Sequence, residues 1–194
     1  SIFNLHVDGV HGGIAAFQKG DPDLDPEFSF NTDLSFKYRS PKFKANASIY
    51  RNAIDDYIFL VNTGESIPDG PPILQTIQGD AVISGGHLSA NYQLLPFLSL
   101  NGNLEIVDGQ SDDDFEEVDE LPLMPANRFG GGFKLSFDDF SFLKNPVFAA
   151  DVDHVLDKDA AGRYEPFWQF GPAFPFGRAS TDEYTLFNAS FDFD

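Results

Sequence analysis

The sequence predicts an all-β fold: an antiparallel transmembrane β-barrel segment of about seven strands, with short periplasmic turns and long extracellular loops. Three observations carry this expectation. Apolar residues recur at every second position in about seven separate stretches, the period of a strand with two unlike faces. No stretch reaches the roughly eighteen consecutive apolar residues of a transmembrane helix, although Phe alone supplies 22 of the 194 residues. Connections alternate between short and long along the chain, as they do at the two rims of an outer-membrane barrel.

Residues 1–27 are expected to form an extracellular loop segment, leaving 28–194 for strands and their loops. In the first strand Phe28, Phe30, Leu34, Phe36 and Tyr38 share one face, with Thr32 the exception, and Ser29, Asn31, Asp33, Ser35 and Lys37 the other. Ser40-Pro41 breaks the run. Phe43, Ala45, Ala47 and Ile49 then alternate with Lys44, Asn46, Ser48 and Tyr50, before the pattern blurs between Arg51 and Leu60 and a long loop is expected over 61–72. The grammar returns at Val82, Gly86, Leu88, Ala90, Tyr92 and Leu94, and after Leu95-Pro96 at Leu98, Leu100, Leu104 and Ile106. A second long loop is expected over 109–121. Phe129, Phe133, Leu135 and Phe137 mark the next strand, a short turn spans 138–145, and Phe148, Ala150 and Val152 mark the one after. The third long loop, 157–182, leads to Thr185, Phe187, Ala189, Phe191 and Phe193.

Alternation of this kind is shared by a lipid-facing barrel wall and by a soluble antiparallel sheet with one solvated face. The loops separate them. With the short turns on one side and the long loops on the other, the strands run alternately down and up without a violation.

Composition removes several function classes. Lys plus Arg number 12 against 31 Asp plus Glu, a formal charge of −19 that repels phosphate backbones and excludes nucleic acid as a partner. The absence of cysteine removes disulfides, thiolate metal sites and cysteine nucleophiles together. Ser1-Ile2-Phe3-Asn4 begins neither a basic n-region nor a long apolar run, so no signal peptide is visible. No nucleophile motif, phosphate loop or paired-carboxylate arrangement stands out, and Gly130-Gly131-Gly132 lies in a strand with no helix after it, so no enzyme is expected.

Ordered motifs along the chain resemble the TonB-dependent receptors. His11-Gly12-Gly13, Phe17 and Gly20-Asp21-Pro22-Asp23-Leu24-Asp25-Pro26-Glu27 are similar to the stretch that leads into a descending strand in that family. Tyr50-Arg51-Asn52-Ala53-Ile54-Asp55-Asp56-Tyr57-Ile58 resembles a further family strand. Asp80 to Gly86 resembles another, with His87 standing where the family usually has Glu. Leu121-Pro122-Leu123-Met124-Pro125-Ala126-Asn127-Arg128-Phe129, Val152 to Asp159, and Tyr184-Thr185-Leu186-Phe187-Asn188-Ala189 complete the series. The resemblance implies the C-terminal portion of a receptor β-barrel in the bacterial outer membrane. Its function would be uptake of a scarce ligand such as a metal chelate, a metal ion or another nutrient. It implies as partners outer-membrane lipid, the remainder of the barrel in the same polypeptide or another chain, and TonB only if a plug is supplied elsewhere. No TonB box, plug or early strand is recognisable, and seven strands do not close a barrel of about 22. The chain is therefore expected to be a fragment, a processed piece, or a small subunit that pairs its edges with another. An alternative function is a structural or interaction subunit of a cell-surface or outer-membrane assembly, without transport; a soluble β-sandwich binding module is a third.

Candidate sites fall in the loops. Asp112, Asp113 and Asp114 open an acidic run whose oxygens suit Ca²⁺ or a cationic substrate, or simply keep a loop solvated. His6 and His11 flank Asp8, a set able to hold a transition metal, against a structural loop role for His11. Tyr164, Phe167, Trp168 and Phe170 are expected either to bind a ligand or partner or to pack upon themselves. His87 and His154 are read as barrel-wall positions.

Overall fold

The computed structural model describes residues 2–12, 16–111, 121, 124–139, 143–158 and 181–193. A short helix α1 (Ile2–His6) precedes strands β1 (Asp8–His11), β2 (Ala16–Lys19), β3 (Phe28–Arg39), β4 (Phe43–Ser66) and β5 (Pro72–Leu95). β6 (Leu98–Ser111), β7 (Arg128–Ser136), β8 (Val147–Val155) and β9 (Tyr184–Asp192) follow. β3 to β9 form one antiparallel meander in chain order, the seven strands that the alternation marks. The β1–β2 hairpin joins it by a parallel pairing, from Phe17 opposite Ile73 to Lys19 opposite Gln75, on the edge that β6 leaves free beyond Ser111. Residues 1–27, expected as one loop segment, thus contain a helix and a hairpin.

Directly opposed residues of antiparallel strands share a face, so the registers test whether the separate apolar stripes join. They do. Phe36 opposes Ala47, Ala47 opposes Leu88, Leu88 opposes Leu104 and Leu104 opposes Phe129. Two residues along, Tyr38, Ala45, Ala90, Gly102, Gly131, Val152 and Phe187 are joined in the same way. The stripes fuse into one apolar surface across all seven strands, and the polar stripes into one surface behind it. Among the described residues no second layer covers the apolar side: Leu34 is 67% exposed and Phe187 81%. Among the described residues the buried hydrophobic side chains are Ala16, Ile54, Leu74, Ala81, Leu121 and Val155, too few for an aqueous core. The solvent for this face is hydrocarbon, and the sheet is a piece of barrel wall whose ends, β3 and β9, do not meet.

The segment 61–72, expected as a long loop, is mostly strand. β4 and β5 each run 24 residues, leaving 67–71 as the turn. About 9–11 residues suffice to cross a bilayer, so this hairpin continues well beyond it. The reason the alternation hid it is local. A β-bulge between Ile54 and Tyr57 puts Asp56 at φ 59°, a left-handed conformation that Asp tolerates better than most residues, and the side-chain phase changes there. β6 likewise runs to Ser111, three residues into the expected second loop. At the other rim Phe43, first in β4, opposes Tyr92, three residues before the end of β5 at Leu95. That stagger is what closing a barrel with tilted strands requires.

Backbone groups beyond the paired strands are satisfied by side chains. Glu27 Oε1 accepts from Ile58 N at 2.8 Å, where β4 has run past the end of β3. The Gln78 carboxamide accepts from Asp25 N at 2.8 Å and donates to Asp25 O at 2.7 Å and Asp56 O at 2.8 Å. The Gly20-to-Glu27 motif is thereby tied to the hairpin. In the β7–β8 turn Lys144 Nζ donates to Asp139 Oδ2 at 2.8 Å and Asn145 N to Oδ1 at 3.0 Å. These bonds, Lys144 first, hold the Asp139 carboxyl below its ordinary 3.8.

Two outcomes are expected in the native barrel. Leu104→Arg, on the apolar face near mid-strand, lowers stability by about 2–4 kcal/mol, whereas Asn103→Arg, one residue away on the polar face, changes it little; denaturant unfolding in lipid vesicles measures both. Because the folded carboxyl of Asp139 has the lower pKa, its contribution is present above about 3.8 and is lost as pH falls through the folded value. Asp139→Asn therefore lowers the thermal unfolding midpoint at neutral pH, and the difference shrinks as pH falls below the ordinary carboxylate range.

Candidate functional site

The polar face concentrates its chemistry where three strands meet in register: His87 of β5 opposes Glu105 of β6, which opposes Arg128 of β7. Arg128 donates to Glu105 Oε2 from Nε at 2.7 Å, with Nη2 at 2.6 Å from the same oxygen. Glu105 Oε1 faces His87 Nδ1 at 3.6 Å. All three side chains are about half exposed, so the ion pair contributes on the order of 0.2–1 kcal/mol and its larger effect is to fix the direction of Arg128.

The stretch entering β7 makes a shelf over the upper end of this row. Leu121 N donates to Gly109 O at 2.8 Å, Val107 N to Asn127 Oδ1 at 2.8 Å, and Leu156 N to Asn127 O at 2.9 Å. Lys158 Nζ donates to Met124 O at 2.7 Å. Gly109 lets the shelf come close, since a Cβ there would lie 2.7 Å from Met124 Sδ. Below the shelf is an open cleft of about 850 Å³, lined among others by Tyr50, His87, Glu105, Met124, Arg128 and Tyr184. Tyr50 reaches across Gly85, whose Cβ would lie 2.6 Å from the phenol oxygen. The lining offers a guanidinium, an imidazole, a carboxylate, two phenols and a thioether, a set suited to holding a polar ligand by hydrogen bonds and charge.

The residues singled out in the sequence are placed as follows. His6 ends α1, Asp8 begins β1 and His11 ends it. Among the described residues no group of three or more His, Asp or Glu side chains is positioned to hold a metal ion. Asp112, Asp113, Asp114, Tyr164, Phe167, Trp168 and Phe170 lie outside the described residues. His154 is on the apolar face, its Nδ1 2.8 Å from Thr185 Oγ1 and its ring 5.1 Å from that of Phe129. His87 lines the cleft. The grouping of His87, Glu105 and Arg128 escaped the sequence because each is only one polar position of its own strand. Cross-strand register, set by turn lengths, is what brings them together.

Comparison with known proteins agrees with this architecture. The family model described as TonB dependent receptor-like, beta-barrel matches residues 1–194. The copper transporter OprC superposes with a TM-score of 0.68 at 19% identity, over 87% of this chain and 23% of its own. The ferric yersiniabactin uptake receptor FyuA from Yersinia pestis gives 0.57 at 16% identity, over 85% and 22%. The FrpB iron transporter from Neisseria meningitidis (F3-3 variant) gives 0.58 at 14%, over 92% and 26%. The chain thus spans about a quarter of the length of these solved structures, and at these identities the likeness is one of fold. No match is found among curated proteins. On the whole-chain match and the seven-stranded wall together, the chain belongs to the TonB-dependent receptor family, as part of its β-barrel.

Proposed function

We propose that this chain is the C-terminal portion of the barrel wall of a bacterial outer-membrane receptor that imports a scarce ligand, a metal chelate, metal ion or other nutrient, without chemical conversion. The observation that carries this reading is the two-sidedness of the sheet: an apolar face that joins all seven strands from Tyr38 to Phe187, and behind it a polar face with a cleft at the level of Arg128. Such a wall separates hydrocarbon from a hydrated lumen. The free edges of β3 and β9 require strands from the same polypeptide or another chain, because unpaired backbone is not tolerated in lipid. Capture of the ligand falls to the extracellular side, with Tyr164, Phe167, Trp168 and Phe170 of a long loop as apolar contacts, and with Asp112, Asp113 and Asp114 of another, and His6 of α1 and His11 of β1, as polar or metal-binding ones. The Arg128–Glu105–His87 row lies on the inward route.

Accumulation of radiolabelled copper, free iron and ferric chelates in cells, with and without TonB, tests the reading. One of these is expected to accumulate only in the presence of both receptor and TonB. Arg128→Ala is expected to reduce that uptake by about tenfold, at unchanged protein level, by removing a charged donor from the route. Release of the protein by carbonate without detergent would sink the membrane reading. A detergent-requiring protein that moves none of the ligands would favour a structural subunit instead.

A further inference from the structure

The bulge in β4 turns two aromatic side chains toward the polar face. Below it, odd positions of β4 such as Ile49 and Ala53 belong to the apolar face. β5 carries no extra residue at this level, so its odd positions, His87 among them, keep to the polar face, and Tyr57 and Phe59 oppose Gly79 and Ile77 of that series. The two rings are nearly parallel, with 22° between their planes and centroids 5.8 Å apart. Both side chains are half-buried, which leaves part of each ring open.

Glu27 borders the pair. Its Oε1 accepts at 2.8 Å from Ile58 N, the amide that joins Tyr57 to Ile58, and among the described residues Oε2 has no donor. Burial first, and the Glu27 carboxylate second, hold the Tyr57 phenol above its ordinary 10.0, so this ring is neutral at physiological pH. No Lys or Arg occurs from position 20 to 36 or in β5, and Arg51 of β4 opposes Ser84 on the other face. The rings therefore stand beside a carboxylate that no nearby basic residue of these segments offsets.

An aromatic face attracts a cation within about 6 Å of its centroid, and a carboxylate at the ring's border adds a full charge to that attraction. The kind of cation follows from what is missing. A bare divalent ion takes about six oxygen ligands, and among the described residues no group of three or more His, Asp or Glu side chains is positioned to hold a metal ion. Two rings and one carboxylate suit a cation that itself has an apolar surface.

We propose that Tyr57, Phe59 and Glu27 form a binding site for an amine or quaternary ammonium group, and that the imported ligand carries such a group. The inference rests on the receptor reading above, because the inner side of the hairpin lies on an import route only if the polar face lines a lumen. The rings hold the apolar surface of the ammonium group, and Glu27 Oε2 neutralises its charge.

The test measures binding of choline to the native full-length polypeptide in detergent, by saturation-transfer NMR on the methyl protons, beside the uncharged analogue with carbon in place of the nitrogen. Choline is expected to bind at least about fivefold more tightly than the analogue. Its affinity is expected to fall roughly fivefold in Glu27→Gln, which keeps Oε1 for Ile58 N, and about tenfold in Tyr57→Leu/Phe59→Leu. Equal affinity for the two probes, undiminished affinity in Glu27→Gln or in a folded double variant, or no binding of choline overturns the proposal. Should the double variant not fold, Glu27→Gln decides alone. The receptor reading is judged separately by TonB-dependent accumulation. Uptake of a copper or ferric ligand without choline binding sinks the ammonium site alone, whereas choline binding without any TonB-dependent uptake keeps the site and removes its part in import.

Discussion

Within hydrocarbon, no water is present to satisfy a backbone N–H or C=O, so each must bond to a neighbouring strand. That requirement is what the rest of this structure depends on. It forces seven strands into one continuous meander, and with pairing fixed, the side of every side chain follows from its parity. One slip of a residue would carry a whole row of phenylalanines into the lumen and a row of amides into lipid. The Phe36-to-Phe129 row shows that no such slip occurs between β3 and β7.

Where the strands outrun one another the same need is met differently. Glu27, Gln78 and Asn127 use side-chain oxygens to take up backbone N–H groups at the upper ends of β4 and β6 and in the stretch before β3. These contacts hold the Asp- and Pro-rich entry stretch and the shelf before β7 against the wall. The cleft owes its roof to them, because Met124 lies over Gly109 only while Leu121 and Asn127 anchor the shelf on either side.

Much of the wall was legible in the sequence because lipid imposes a strict period of two. The faces of β3, the lower part of β4, the lower part of β5, and β6 to β9 are all as the alternation implies. The upper β4–β5 hairpin was not, since the bulge at Asp55-Asp56 shifts the phase and apolar residues such as Ile58, Phe59, Leu60 and Val61 follow one another without alternating. The helix and hairpin within 1–27 were hidden because their segments are four or five residues long, below the length at which a period can be recognised. The polar row at Arg128 was hidden for another reason: it is a property of three strands laid side by side.

The bulge between Ile54 and Tyr57 also divides the β4–β5 hairpin into two parts with unequal tolerance to change. Below it, inserting or deleting a single residue reverses inside and outside for the remainder of the strand. Above it, the sheet carries the β2 pairing and the Gln78 contacts, and a change in length near its tip alters reach without reversing the faces below. Changes in hairpin length are therefore confined to its tip beyond the β2 pairing at Ile73 to Gln75, where the wall beneath keeps its frame.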